Sequence, residues 1–195
     1  MVRSLSTLSS IVVCGLVCGL VCGLAACNGG GGGNDGGSDP FYGAANVDVR
    51  ANPSRIDSGD RTQISMELSD VHENGVAVKI RFPGGLRYVP SSSFLIVGSK
   101  EKDVTPTVIQ TDESEDLTYV VFYLTQAQFK RGSGEYNGES GTLLIQLEGR
   151  REVSEGEVEV DPDVDDPAED NAFEFDINSP EFVAEGSASI EVVSE

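Results

Sequence analysis

An all-β, two-sheet sandwich of roughly eight to ten strands is predicted for residues 41–195. Three observations predict it. Apolar and polar residues alternate with period two in several separate runs, and no run after Phe41 repeats with helical period. Gly, Asn and Pro turns divide one run from the next. Hydrophobic residues make up 38% of the 195, enough for a packed core.

The elements follow in order. Val47, Val49 and Ala51 alternate with Asn46, Asp48 and Arg50, and Ile64, Met66 and Leu68 alternate with Gln63, Ser65 and Glu67. Val76, Val78, Ile80 and Phe82 alternate with Ala77, Lys79 and Arg81, which places Lys79 on a wet outer face. Leu117–Leu124 is apolar on both faces apart from Thr118 and the Tyr hydroxyls, the pattern of a central strand. Leu143, Ile145 and Leu147 form another inward row, and Ala188, Ile190 and Val192 the last. The dividing turns are Asp57–Asp60, Asn74-Gly75, Pro83–Gly85, Gly132–Gly134 and Asn137-Gly138.

Asn52-Pro53-Ser54-Arg55-Ile56-Asp57-Ser58-Gly59-Asp60 resembles the opening of many bacterial immunoglobulin-like domains, where a Pro kinks the first strand and a Gly-Asp turn feeds the second. Phe82–Ser92, with Pro83, Gly85-Leu86 and Tyr88-Val89, is similar to a stretch of the conserved-repeat domain of bacterial surface proteins. Gly141–Leu147 fits that domain's late strand. The resemblance covers residues 45–150 and the last strand, and it implies an immunoglobulin-like sandwich. It rests on turn and core residues, which report fold far better than function. The chain departs from the family in carrying one copy and an acidic insertion near its end. Cohesin modules share a related sandwich more distantly.

The first residues read as an address. Arg3 precedes Ile11–Ala26, sixteen apolar, Gly and Cys residues, short of the roughly 20 that span a bilayer and near a signal-peptide core in length. Leu24-Ala25-Ala26-Cys27 resembles the lipobox of bacterial lipoproteins. That resemblance implies cleavage before Cys27 and acylation of the Cys27 thiol and new amino group, with residues 1–26 removed. Cys14, Cys18 and Cys22 would leave with them. One acyl chain holds a protein marginally, whereas two or three hold it stably. Asn28 in place of Asp favours the outer membrane or cell surface over the inner membrane, by the sorting rule of such lipoproteins. Residues 27–40 then form the lipidated Cys and a Gly-rich tether, whose thirteen residues from Asn28 give a flexible reach of about 20 Å.

Charge excludes one class of partner and raises another question. There are 13 Lys and Arg against 33 Asp and Glu, a formal net charge of −20. Nucleic acid is excluded, since binding it needs cations to replace phosphate counterions. No Lys or Arg follows Arg151, and residues 152–195 hold 16 acidic groups. Glu155, Glu157 and Glu159 read as the solvated face of a strand. An acidic segment, 152–176, continues through Asp161, Asp163, Asp165 and Asp166, four carboxylates that could take a calcium ion. The spacing is not that of an EF-hand, because Asp166 stands where Gly is needed and Ala172 where the bidentate Glu belongs. No other cofactor is indicated.

Catalytic markers are missing. His72 is the one histidine and sits in a turn, no Gly-x-Ser-x-Gly occurs, and no Cys follows Cys27. With no Trp, the aromatic platforms of sugar sites are scarce. The expectation is a lipid-anchored, non-catalytic envelope module for adhesion, scaffolding or protein binding. The alternatives are an envelope hydrolase or accessory subunit using carboxylates, and a cohesin-like receptor or calcium-stabilised adhesin.

Overall fold

The computed structural model describes residues 45–72, 75–129, 139–163, 176–178 and 182–194. The predicted all-β sandwich is what it shows: two six-stranded sheets packed face to face. The first sheet contains β1 (Asn46–Asn52), β3 (Arg61–Val71), β5 (Leu86–Tyr88), β6 (Phe94–Val97), β7 (Lys100–Asp103) and β10 (Glu139–Gly149). Its order is β1-β3-β10-β6-β7, with β5 also paired to β10. The second contains β2 (Arg55–Asp57), β4 (Val76–Pro83), β8 (Val108–Asp112), β9 (Leu117–Leu124), β11 (Val153–Asp163) and β12 (Gly186–Val193). Its order is β2-β12-β11-β4-β9-β8.

The twelve strands among the described residues exceed the eight to ten expected, and a four-residue helix, α1 (Gln126–Phe129), was not expected. The strands in excess are short or charged. β2 and β5 have three residues each, and β7 is Lys-Glu-Lys-Asp, so none carries enough alternation to register. The expected turns at 132–134 and 137–138, and Asn74 of another, lie outside the described residues.

Pairing is antiparallel throughout these sheets except between β2 and β12, which run parallel. The chain crosses from the first sheet to the second at Pro53, where the Asn52–Pro53 peptide is cis. The turn at 57–60 closes through Gly59, whose φ of +96° suits a residue without Cβ.

Inward rows of both sheets meet as predicted. Ile64, Met66, Leu68, Leu95, Leu143, Ile145 and Leu147 from the first face Val78, Ile80, Phe82, Val120, Phe122, Leu124, Val158 and Val160 from the second, all buried. Tyr88 meets Phe122 edge-on across the gap, ring centres 6.5 Å apart, and its hydroxyl shares a 2.6 Å hydrogen bond with Ser93. A buried phenol therefore keeps a polar partner. β9 is paired on both sides and buried on both faces, as its sequence implied.

The outer faces differ, and here one expectation is corrected. The first sheet's outer row is wet: Arg61, Gln63 and Glu67 are exposed. On the second sheet Ala77, Lys79, Tyr119 and Val121 are all buried. Lys79 is therefore not on a wet face. Phe182 and Val183, ahead of β12, lie over it: Val183 N–H donates to Asp161 and the Phe182 ring covers Arg81. Among the described residues no helix is long and apolar enough to cross a membrane.

Candidate functional site

Two features of the sandwich bear on function: an ionic cluster buried on the outer face of the second sheet, and the open outer face of the first. The cluster follows from strand register. β4 presents Lys79 and Arg81 away from the core, and β11 places Asp161 opposite Lys79 and Glu159 opposite Arg81. Directly opposed residues of an antiparallel pair share a face, so each cation meets a carboxylate.

Lys79 Nζ lies 2.8 Å from Asp161 Oδ2 and 3.1 Å from Asp163 Oδ2, and the Lys79 and Asp161 side chains are only 4% and 8% exposed. Arg81 Nε donates to Glu159 Oε2 at 2.8 Å. The Arg81 guanidinium carbon stands 4.3 Å from the centre of the Phe182 ring, which meets Tyr119 edge-on at 6.0 Å. Asp161 Oδ2 also accepts the Val183 N–H at 3.0 Å. Among the described residues no buried side-chain nitrogen or oxygen lacks a partner.

Burial works to lower the Lys79 pKa, but hydrogen bonds and charge from Asp161 and Asp163 outweigh it and hold the ammonium above its ordinary 10.5. Arg81 is held above its ordinary value in the same way: burial opposes, and hydrogen bonds to Tyr119 and Glu159 prevail. A protonated, doubly paired Lys79 is neither a general base nor a nucleophile at neutral pH. The cluster is suited to holding the segment around Val183 against the sheet.

Of the four expected calcium ligands, the described residues include Asp161 and Asp163. Asp161 and Asp163 turn onto Lys79, whose ammonium stands where a cation shared by the two would sit. Asp165 and Asp166 lie outside the described residues, as do Cys27 and the tether. Among the described residues no three His, Cys, Asp or Glu side chains converge as metal ligands. His72 follows β3, and its carbonyl accepts the Gly75 N–H at 2.9 Å, which makes it part of the turn into β4. Glu155 and Glu157 are exposed as expected, while Glu159, expected to be solvated, is half-buried against Arg81.

Sequence reading missed Lys79, Arg81 and Phe182. A signal for the first two existed: Lys79-x-Arg81 repeats with the same period as Glu159-x-Asp161-x-Asp163.

The open face of the first sheet is electrically polar. At one end a row across three strands runs Arg61, Glu148, Arg87, since Glu148 pairs with both arginines. Arg87 and Arg150 share the Glu148 carboxylate at 2.9 and 3.2 Å, leaving the row cationic. Next come Gln63 opposite Gln146, then Ser65, Leu144 and Phe94 in line. The far end carries Glu67, Thr142, Ile96 and Glu101 in one row, with Asp48 opposite Glu67. Arg50 bridges Asp48 and Glu67 at 3.0 and 3.6 Å. A shallow cleft of about 490 Å³ opens at this acidic end, lined by Asp48, Glu67, Ser69, Ile96 and Thr142 among others.

No protein-family model matches the chain, and a search of characterised proteins found no match. Solved structures do resemble it. AvmM, which catalyses macrocyclization in alchivemycin A biosynthesis, is 10% identical over 80% of this chain and 92% of its own, with a TM-score of 0.41. A non-cellulosomal cohesin from the hyperthermophilic archaeon Archaeoglobus fulgidus is 13% identical over 77% and 93%, at 0.37. The major pilin SpaA of Corynebacterium diphtheriae is 12% identical over 77% of this chain and 37% of the pilin, at 0.45. At these distances no site residue is carried from them to this chain.

Proposed function

We propose that the chain is a lipid-anchored, non-catalytic module of a bacterial cell envelope, held at the outer membrane or cell surface, that works by binding protein. The observation that carries this reading is Leu24-Ala25-Ala26-Cys27 standing directly before a Gly-rich tether and a β-sandwich. Two or three acyl chains on Cys27 would hold the protein stably, and the tether would let the sandwich reorient above the headgroups. Supporting it, the chemically richest cluster is closed on itself: Glu159, Asp161 and Asp163 are taken up by Arg81 and Lys79. Hydrolysis by paired carboxylates needs two of them open to one substrate. The open, bipolar face of the first sheet is suited instead to a protein surface.

Cys27→Ser is expected to abolish fatty-acid incorporation and leave an unprocessed precursor, without changing the sandwich. Metabolic labelling with a radiolabelled fatty acid checks this. Equal label on both proteins would remove Cys27, and with it the anchor.

A further inference from the structure

We propose that the outer face of the first sheet docks on the same face of a second copy, with the Arg61–Arg87 end of each against the Asp48–Glu67–Glu101 end of the other. This rests on reading the domain as a protein-binding module and names its partner. A rotation of 180° about an axis in the plane of the sheet, across the strands, reverses strand direction and keeps each strand facing itself. Arg61 of β3 then meets Glu67 of the second β3, and Arg87 meets the Ile96–Glu101 pair. Between them the Leu144–Phe94 row packs on the Gln63–Gln146 row. Such an interface is isologous: every contact occurs twice, and the pairing closes at two copies.

Three observations carry it. The face has opposite signs at its two ends, so it is complementary to itself only in this orientation. Shape agrees with charge, because the acidic end is a cleft and the basic end presents exposed Arg61 and Arg87. Finally, part of the charge that would oppose self-association lies on the other sheet. Residues 45–151 hold 15 acidic against 12 basic residues, near neutrality, while of the 16 acidic groups after Arg151, Glu155, Glu157, Glu159, Asp161 and Asp163 stand on β11 and Glu191 on β12 of the other sheet. Stacked sheets lie about 10 Å apart, close to one screening length at 0.1 M salt. From Arg61 to Glu67 is about 20 Å of strand, and five strands are about as wide, so each copy contributes about 400 Å². That is half of a standard interface, and the association is weak and salt-sensitive.

The test uses the full chain carrying two different tags, co-expressed and extracted in detergent, with co-capture measured at about 50 and 500 mM salt. Wild-type copies are expected to co-purify at low salt, and about tenfold less at high salt. Arg61→Glu with Arg87→Glu should lower capture by a similar factor, as should Glu67→Arg with Glu101→Arg. A mixture of the two double variants should restore it, since each reversed end then meets its opposite. Unchanged melting midpoints keep the fold out of the comparison. Absence of co-capture in the wild type, insensitivity to the reversals, or failure of the mixture to recover would each overturn the proposal. Fatty-acid label on the same extracts reports the anchoring separately, so the failure of one reading is not mistaken for the failure of the other.

Discussion

Replacing Lys79 by Met is expected to destabilise the domain by about 3–5 kcal/mol, the usual result of removing one partner from a buried ion pair. Met keeps the volume and most of the stem packing but leaves Asp161, itself almost wholly buried, without the ammonium at 2.8 Å. The neighbouring Asp163 loses the same partner and adds repulsion. Adding Asp161→Asn to Lys79→Met should recover much of the loss, because the amide oxygen can still accept the Val183 N–H and the more deeply buried of the two carboxylates is gone, leaving the partly exposed Asp163. Urea unfolding of the wild type, the single and the double variant measures it. A single variant as stable as wild type would mean that the ammonium is not where the geometry puts it.

The same pair sets an alkaline limit. A lysine whose folded pKa is raised contributes stability that is complete below its unfolded value and is lost as pH rises through the folded one. The Lys79 contribution should therefore hold at neutral pH and disappear above its ordinary 10.5, and Lys79→Met should lose less than wild type in that range.

Ile80→Asp is expected to be at least as damaging, above about 4 kcal/mol and enough to prevent folding of a marginal domain. Ile80 has no exposed surface and points between the sheets, where a carboxylate would have neither water nor cation. Gln63→Asp, on the exposed face of β3, should change stability by less than about 0.5 kcal/mol. Circular-dichroism melts separate the outcomes. Equal shifts for the two would mean that the inward rows are wrongly assigned.

Alternation carried much of the fold because it records which residues avoid water. Ile64-x-Met66-x-Leu68 and Val78-x-Ile80-x-Phe82 each show one face of a strand, and both faces proved to meet in the core. Alternation does not record whether the other face is wet. Lys79 and Arg81 sit at polar positions of β4 and are covered all the same, and no local pattern places Phe182 over them. Pairing between Lys79 and Asp161, 82 residues apart, depends on strand order and register, which a single sequence leaves open. Sequence alone presents Glu155, Glu157 and Glu159 as the solvated face of a strand and Asp161 and Asp163 as candidate calcium ligands. Two cations of matching period, held one strand away, change the reading for Glu159, Asp161 and Asp163 while Glu155 and Glu157 keep it.

The parallel contact between β2 and β12 has a mechanical meaning. Ser54 carbonyl accepts Glu191 N–H at 2.8 Å, Ser58 N–H donates to the Val193 carbonyl at 3.0 Å, and Arg55 bridges Glu191 at 2.7 Å. Because the two strands run the same way, tension applied between the start of β2 and the end of β12 slides them along each other, so these links bear load together. An antiparallel pair pulled at its adjacent ends would release its bonds singly, like a zip. Rupture in a pulling experiment is then expected at a higher force for a load applied between Ser54 and Ser194 than for one entering through the β3–β4 turn.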